Sequence, residues 1–300
     1  MQTRPPSPLL AALLLTVSSA CWGGNIFIGR LVHAEVPPVG LSFWRWVLAL
    51  VVFLPFAWPH LRRDWPAVRR HWKNLAGLAF FGMAAFHTSL YLSVNYTTAT
   101  NAALLIAICP LLVPVLAWAL YRDLVTPRLL LAIALSLAGV AVVILRGEPA
   151  RLLTLQFNTG DLVMLTAVFF WSMYTVLLKR RPAELHPQSL LIVMMAMAAI
   201  MLAPVYLWES AFVRTMPVTP DALLAVAYVV VFASILAFLC FNRGIEVLGP
   251  STGGLFLHLI PVFAALLALV FLGERLQPFH GIGIAAIAGG IVLATSARGR

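Results

Sequence analysis

Long apolar runs divide the chain, and they constrain its fold more than any other feature. A run of about 18 or more apolar residues with few charges is typical of a membrane-spanning helix. Only 10% of the 300 residues are charged, whereas soluble domains carry about 25%. The runs do not alternate as the strands of a β-barrel would. The sequence therefore predicts an all-α integral membrane protein with ten transmembrane helices. The predicted spans lie near residues 9–30, 39–58, 75–95, 102–121, 128–146, 160–179, 188–208, 221–241, 252–272 and 279–297.

Short loops between the runs carry most of the Lys and Arg. With ten spans both termini lie on one side, which also receives the basic run 60–73 and residues 179–181. Because cytoplasmic loops are enriched in Lys and Arg, both termini are predicted to be cytoplasmic, in a bacterial inner membrane. The run 60–73 is expected to contact membrane lipids. This placement of the cations argues against a nucleic-acid partner, despite a net charge of +10.

The two halves of the chain, 1–150 and 151–300, repeat the same landmarks. Pro110 and Asp123 recur 151 positions later as Pro261 and Glu274, and Trp22 recurs 149 positions later as Trp171. Each half holds five spans, so the second half must enter the membrane inverted. Inverted repeats are a signature of transporters. An old gene duplication without mechanical meaning is the alternative.

Several stretches resemble the EamA family of the drug/metabolite transporter superfamily. They are "LLTVSSACWGGNIFIGRLV", "FWRWVLALVVFLPF" and the twin segments that end in "YRD" and "LGE". The resemblance implies a ten-helix exporter and an acidic residue after the fourth helix of each repeat, present here as Asp123 and Glu274. The "YRD" ending departs from the usual form, which is closer to "LGE". Within the family the chain is most similar to bacterial exporters of aromatic and other apolar amino acids.

The ten carboxylates all lie at or near predicted helix ends. A carboxylate in the middle of a span is the usual proton relay or cation site. Because no predicted span has one, the sequence argues against a cation/proton antiporter and against a Na⁺ site. The sequence contains no metal-ligand spacing and no nucleophile elbow. We therefore expect no enzymatic activity, no cofactor and no metal.

Three polar residues of the third span share one predicted helical face. His87, Tyr91 and Asn95 are spaced four residues apart, so they should point away from lipid. They either face a substrate or form a hydrogen-bonded packing surface.

Trp22 and Trp171 lie deep in the first and sixth spans, and Asn25 and Tyr174 follow each of them by three residues. Paired across the pseudo-twofold axis, the two indoles could form walls of a central cavity suited to an apolar side chain. Ordinary helix packing is the alternative.

His258 precedes Pro261 by three residues, and its repeat partner is Ala107. Pro110 and Pro261 each free a backbone carbonyl one turn earlier, which could receive an ammonium group. A packing role for His258 is the alternative. Pro110, Pro261, Asp123 and Glu274 are interpreted as gating positions, with solvated loop charge as the alternative for the two acids.

Arg45 lies within the second span, where an unpaired guanidinium is unfavourable. A structural role is the preferred interpretation, and contact with a substrate carboxylate is the second.

The sequence as a whole predicts a secondary transporter that exports small amphipathic metabolites by alternating access. The preferred substrates are amino acids with aromatic or large apolar side chains, bound by Trp22, Asn25, His87, Tyr91, Asn95, Trp171, Tyr174 and His258. The alternatives are an exporter of drugs or other metabolites and a non-transporting membrane scaffold.

Overall fold

The computed structural model describes residues 7–32, 35–93, 95–97, 99–154, 156, 158–272 and 277–296. Within these ranges every regular element is a helix, which confirms the predicted fold class. Nine of the described helices are long and apolar enough to cross a membrane, and one of them, Pro220–Leu267, has 48 residues. Such a helix would extend about 70 Å, roughly twice the bilayer core. It turns at Gly249, whose φ of 70° is not helical, and therefore makes two of ten spans.

The ten spans are built from helices that mostly begin at a proline, where the missing N–H needs no partner. The first, second, fifth, seventh and tenth are single helices: Pro8–Val32, Pro38–Arg70, Pro127–Ile144, Pro187–Phe212 and Pro278–Thr295. The sixth is Thr159–Leu177 followed by the 3₁₀ turn Leu178–Arg180. The others are composite. The third consists of Trp72–Ala79, Phe80–Ala85 and Phe86–Ser93, and the fourth of Ala99–Ile106 and Cys109–Tyr121. The eighth consists of Pro220–Tyr228, Val229–Leu236 and the first part of Ala237–Gly254, and the ninth of the last part of Ala237–Gly254 with Leu255–His258 and Leu259–Leu272.

The second helix is longer than predicted. Its apolar run ends near residue 58, but the helix continues to Arg70 through Pro59 and Pro66. Hydropathy marks where the chain leaves the hydrocarbon, whereas the helix ends only at His71, whose backbone departs from helical values. The charged end of this helix, with Lys179–Arg181, marks the side of the bundle called here the basic face.

Local irregularities recur at equivalent places in the two halves. A π-helical segment, Phe80–Ala85, interrupts the third span, and another, Val229–Leu236, interrupts the eighth; the second ends 151 residues after the first. The fourth span breaks at residues 107–108, and the ninth narrows to 3₁₀ geometry at Leu255–His258, near an offset of 151. The repeat therefore extends to the positions where the helices depart from regular geometry.

The first span of each half packs against helices of the other half. The first span packs on the eighth and ninth, and the sixth packs on the third and fourth. The fifth and tenth spans pack on each other through small residues: a Cβ on Gly139 would lie 2.6 Å from the carbonyl oxygen of Gly283, and one on Gly290 would lie 2.6 Å from that of Ala132. Such close approach is typical of membrane helices joined by small residues. The two five-helix repeats thus share one bundle.

One junction at the basic face joins the second and seventh helices. The rings of His60 and His186 stack 3.7 Å apart, and the His186 N–H donates to Asp64 at 2.8 Å. His186 Nδ1 accepts from the Gln188 N–H at 3.3 Å and so caps the seventh helix. Burial lowers the pKa of His186, and the neighbouring His60 lowers it further.

Candidate functional site

An aromatic cluster occupies the centre of the bundle. The rings of Trp22 and Trp171, repeat partners, meet nearly at right angles with centroids 4.9 Å apart. Phe238 and Phe241 of the eighth span pack on both indoles at 5.1–5.8 Å. Edge-to-face geometry of this kind is the preferred arrangement for aromatic pairs. The two tryptophans therefore touch each other in this conformation, with no space for a ligand between them.

The two indole N–H groups differ. Trp22 Nε1 donates to the carbonyl oxygen of Ala233 at 3.0 Å, within the π-helical segment of the eighth span. Trp171 Nε1 is buried and has no hydrogen-bond partner among the residues that the structure describes. An unsatisfied buried donor costs about 1–3 kcal/mol. The two repeat partners therefore differ in whether their indole N–H has an acceptor.

A cavity, called here the central cavity, adjoins the aromatic cluster. Its volume is about 40 Å³, which holds a few water molecules at about 10–15 Å³ each but is far below the 300 Å³ or more of typical ligand pockets. It is lined by Trp22, Asn25, Ile26, Phe86, His87, Leu90, Ile106, Cys109, Trp171, Leu257 and Ile260. Its walls come from both repeats and carry no Asp, Glu, Lys or Arg. A larger ligand requires the helices around it to separate.

A chain of hydrogen bonds leads from the second span to this cavity. Arg45 Nη1 donates to Tyr91 Oη at 2.8 Å, and the Tyr91 hydroxyl donates to Asn25 Oδ1 at 3.4 Å. Asn25 lines the cavity, whereas Tyr91 and Arg45 lie behind it. His87 is also at the cavity wall, where its Nδ1 contacts the Met83 carbonyl oxygen at 3.2 Å.

The structure places three of the predicted substrate contacts away from the central cavity. Asn95 is exposed in the turn after Ser93, where the helix ends, so it does not share the inward face of His87. Tyr174 is buried but donates to Asn242 Oδ1 and does not line the cavity. Its bond ties the sixth span to the eighth, so its role here is packing.

His258 is the third of these residues. Its Nε2 lies 3.0 Å from the carbonyl oxygen of Ala107 and its Nδ1 lies 2.6 Å from Ser136 Oγ. One carbonyl in the turn before Pro110, that of Ala107, is therefore already bonded to the protein's own imidazole. Both ring nitrogens are engaged, so His258 fastens the ninth span to the fourth and fifth. Ala107 and His258 are repeat partners, and their contact places them beside the pseudo-twofold axis.

A polar vestibule of about 600 Å³ opens at the basic face. Asp123 lies on its wall and accepts both of its hydrogen bonds, at 2.5 Å, from Lys179 Nζ. Glu246, also on the wall of the vestibule, forms ion pairs with Arg181 and Arg243. These ion pairs connect the ends of the fourth, sixth and eighth spans. Glu274, the repeat partner of Asp123, lies outside the described residues.

Pro110 and Pro261 lie just beyond the two helix irregularities. Pro110 is buried at the start of Cys109–Tyr121, and Pro261 is half-buried near the start of Leu259–Leu272. Neither lines the central cavity or the vestibule. Their place beside the breaks is compatible with hinges, and gating by them stays a prediction.

The sequence comparison between halves missed Phe238 and Phe241. At the offset of 151, which applies after the second span of each half, their repeat partners are His87 and Leu90, so neither phenylalanine recurs as a phenylalanine in the first half. Their spacing of three residues on one helical face is the signal that was available.

Comparison with known proteins agrees with this architecture. The model of the family described as "EamA-like transporter family" matches twice, at residues 9–145 and 158–296. An "Uncharacterized transporter" of Archaeoglobus fulgidus is 28% identical over 290 residues, 95% of this chain and 96% of the relative. "Uncharacterized transporter YyaM" of Bacillus subtilis is 28% identical over 94% of this chain and 92% of its own length. "Inner membrane protein YtfF" of Escherichia coli is 24% identical over 97% of this chain and 96% of its own length. A crystal structure at 20% identity superposes with a TM-score of 0.76 over 97% of this chain and 99% of that one, which shows the fold alone.

Proposed function

The chain belongs to the EamA-like transporter family, and from that premise we propose that it exports amino acids with aromatic or large apolar side chains. Transport would proceed by alternating access around the central cavity. The observation that carries the proposal is the chemistry of the cavity wall: indole and phenyl rings beside neutral polar groups, with no charged side chain on the wall itself.

Each part of a zwitterionic amino acid has a counterpart at this wall. Trp22, Trp171 and Phe86 offer ring faces to an apolar side chain. Because a carbonyl can only accept, His87 Nδ1 carries the proton in its contact with Met83. The neutral ring then leaves Nε2 as an acceptor for an ammonium group, and the unpaired Trp171 N–H is a donor for a carboxylate.

Alternating access requires two arrangements of the bundle. The central cavity in this conformation is too small for an amino acid, so substrate enters when the aromatic cluster separates. We assign the ion pair between Asp123 and Lys179 to a gate at the basic face that opens in the other state. Glu274 is proposed to act in the equivalent place at the opposite face.

The basic face is proposed to be cytoplasmic, with both termini on that side of a bacterial inner membrane. Its cations at residues 62–73 and 179–181 outnumber those of the opposite loops. In this orientation the vestibule would receive substrate from the cytoplasm.

Flux into liposomes tests the proposal. Purified protein is reconstituted, and uptake of radiolabelled Phe, Trp and Met is measured against protein-free vesicles, with Asp and Lys as comparison substrates. Protein-dependent flux of the apolar amino acids supports the proposal, and its absence for all three removes it. Competition by drugs or other metabolites identifies the broader exporter.

A non-transporting scaffold is the competing function, favoured by the tight packing of the aromatic cluster. It has no need for the unsatisfied N–H of Trp171 or for a cavity that opens. Single cysteines at positions 22, 87 and 171 distinguish the two, since labelling by a water-soluble thiol reagent from either side is expected only of a transporter.

A further inference from the structure

Arg45 carries a charge that no other described residue neutralises. It is fully buried in the second span, and none of the ion pairs in the described parts of the chain includes it. Its hydrogen bonds go to neutral acceptors: Ser234 Oγ at 2.9 Å, Tyr91 Oη at 2.8 Å and the Ala233 carbonyl oxygen at 3.3 Å. Its guanidinium also lies 4.7 Å from the centre of the Trp46 ring. These dipoles solvate the cation but leave its full charge inside the bundle.

The fold does not require an arginine at this position. Arg45 lies within the part of the first half that repeats at an offset of 149, so its partner is Met194. Met194 is fully buried at the equivalent place in the seventh span. A buried charge in a membrane protein is costly, and here an apolar side chain fills the matching site. The cost is therefore specific to the first half, where the hydrogen-bond chain to the cavity begins.

The direction of the hydrogen bonds in that chain decides what the cavity presents. Tyr91 Oη accepts a hydrogen bond from Arg45, so the Tyr91 hydroxyl is free to donate its own hydrogen bond to Asn25 Oδ1. With its oxygen occupied in this way, Asn25 offers its Nδ2 donors to the remaining space. Asn25 lies on the cavity wall. The wall thus presents an N–H donor with a cation two hydrogen bonds behind it.

We propose that Arg45, acting through Tyr91 and Asn25, makes the central cavity selective for ligands that carry a carboxylate. A carboxylate at Asn25 would be attracted by the buried guanidinium, and a ligand whose only charge is positive would be repelled by it. Arg45 is a positioning residue, because it acts through two other side chains. The inference rests on the proposed function, since it names the group by which that transporter recognises its substrate.

Three ligands with the same phenyl ring separate the contributions. Phenylalanine has both charged groups, 3-phenylpropionate has only the carboxylate, and phenethylamine has only the ammonium. Dissociation constants are measured by calorimetry on the full chain in detergent. For the wild type we expect phenylalanine and 3-phenylpropionate to bind at least tenfold more tightly than phenethylamine.

Arg45→Met reproduces the residue of the second half, and Met194→Leu is the matched control away from the cavity. Arg45→Met is expected to bring the phenylalanine-to-phenethylamine ratio close to one, while the control keeps the wild-type ratio. A purely structural role would lower all affinities together and leave the ratio unchanged. Should Arg45→Met fail to fold, Tyr91→Phe interrupts the same chain and is expected to reduce the ratio several-fold.

The outcomes separate this inference from the proposed function. Equal binding of all three ligands by the wild type, or an unchanged ratio in the folded variants, overturns the role of Arg45 and leaves an apolar-ligand transporter standing. Absence of binding for all three, together with absence of amino-acid flux, overturns both.

Discussion

Replacing each central tryptophan by phenylalanine tests whether the asymmetry between the two repeats is real. Trp22→Phe and Trp171→Phe remove the same atoms from equivalent positions, and both indoles are buried, so the loss of packing is matched. The variants differ in what happens to the N–H group. Trp22 loses a hydrogen bond to Ala233, and Trp171 loses a donor that has no partner among the described residues.

The expected difference follows from these two terms. Loss of the Trp22 bond costs about 1 kcal/mol, the typical net contribution of one hydrogen bond; the Ala233 oxygen retains the contact from Arg45 Nη2 at 3.3 Å. Removal of the unsatisfied Trp171 N–H relieves about 1–3 kcal/mol of desolvation. Trp22→Phe should therefore be less stable than Trp171→Phe by about 2–4 kcal/mol. At about 2 °C per kcal/mol for a chain of this size, the melting temperatures should differ by about 4–8 °C.

Thermal unfolding of both variants is measured in the same detergent by light scattering and circular dichroism, because these signals do not depend on tryptophan fluorescence. Ligand affinity should show the opposite order: Trp171→Phe is expected to weaken phenylalanine binding about five- to tenfold by loss of one hydrogen bond. Equal melting temperatures for the two variants would show that the Trp171 N–H has a partner after all, and the argument for a ligand donor would be lost.

Three further perturbations test the fold and its basic face. Gly290→Ala places a Cβ 2.6 Å from the Ala132 carbonyl and should cost about 1–3 kcal/mol of stability, whereas Gly281→Ala, with nothing within 4 Å, should be neutral or stabilising; parallel melts compare them. His258→Leu leaves two buried groups unsatisfied and should destabilise by about 2–4 kcal/mol without changing ligand selectivity in the calorimetric series. The lowered pKa of His186 means that the unfolded state takes up its proton first, so stability should fall as pH drops below about 6.5. His186→Asn keeps the helix cap and cannot titrate, so a melt series from pH 8 to 5 should show a shallower decline for it; the same slope as wild type contradicts the assignment.

Much of the fold could be predicted from the sequence because its causes are local. Apolar runs identify the spans, because a segment in hydrocarbon must pair its own backbone N–H and C=O groups, which a helix does. Prolines identify where most helices begin. The recurrence of Trp22 as Trp171 located the central aromatic cluster. The second helix extends beyond its predicted span, because polar residues end an apolar run without ending a helix.

The site was only partly predictable. Trp22, Asn25, His87 and Trp171 line one cavity as expected, and Tyr91 stands directly behind it. Asn95 and Tyr174 do not line the cavity, and His258 binds its own repeat partner. Nothing in a sequence distinguishes a histidine that meets a carbonyl from one that meets a ligand, because the difference lies in residues more than a hundred positions away.

The sequence by itself thus determined the class, the spans and the duplication, all of which follow from hydrophobic transfer and backbone hydrogen bonding along single segments. Tertiary structure alone decided which buried polar groups are satisfied. Trp22 and Trp171 occupy equivalent positions in the two sequence repeats. The Trp22 N–H nevertheless donates to a carbonyl, whereas the Trp171 N–H has no acceptor among the described residues. The proposed role of Arg45 likewise depends on its hydrogen bonds through Tyr91 to Asn25. Hydrogen bonding is directional and acts over about 3 Å, so the packing of distant helices sets which donors remain for a substrate.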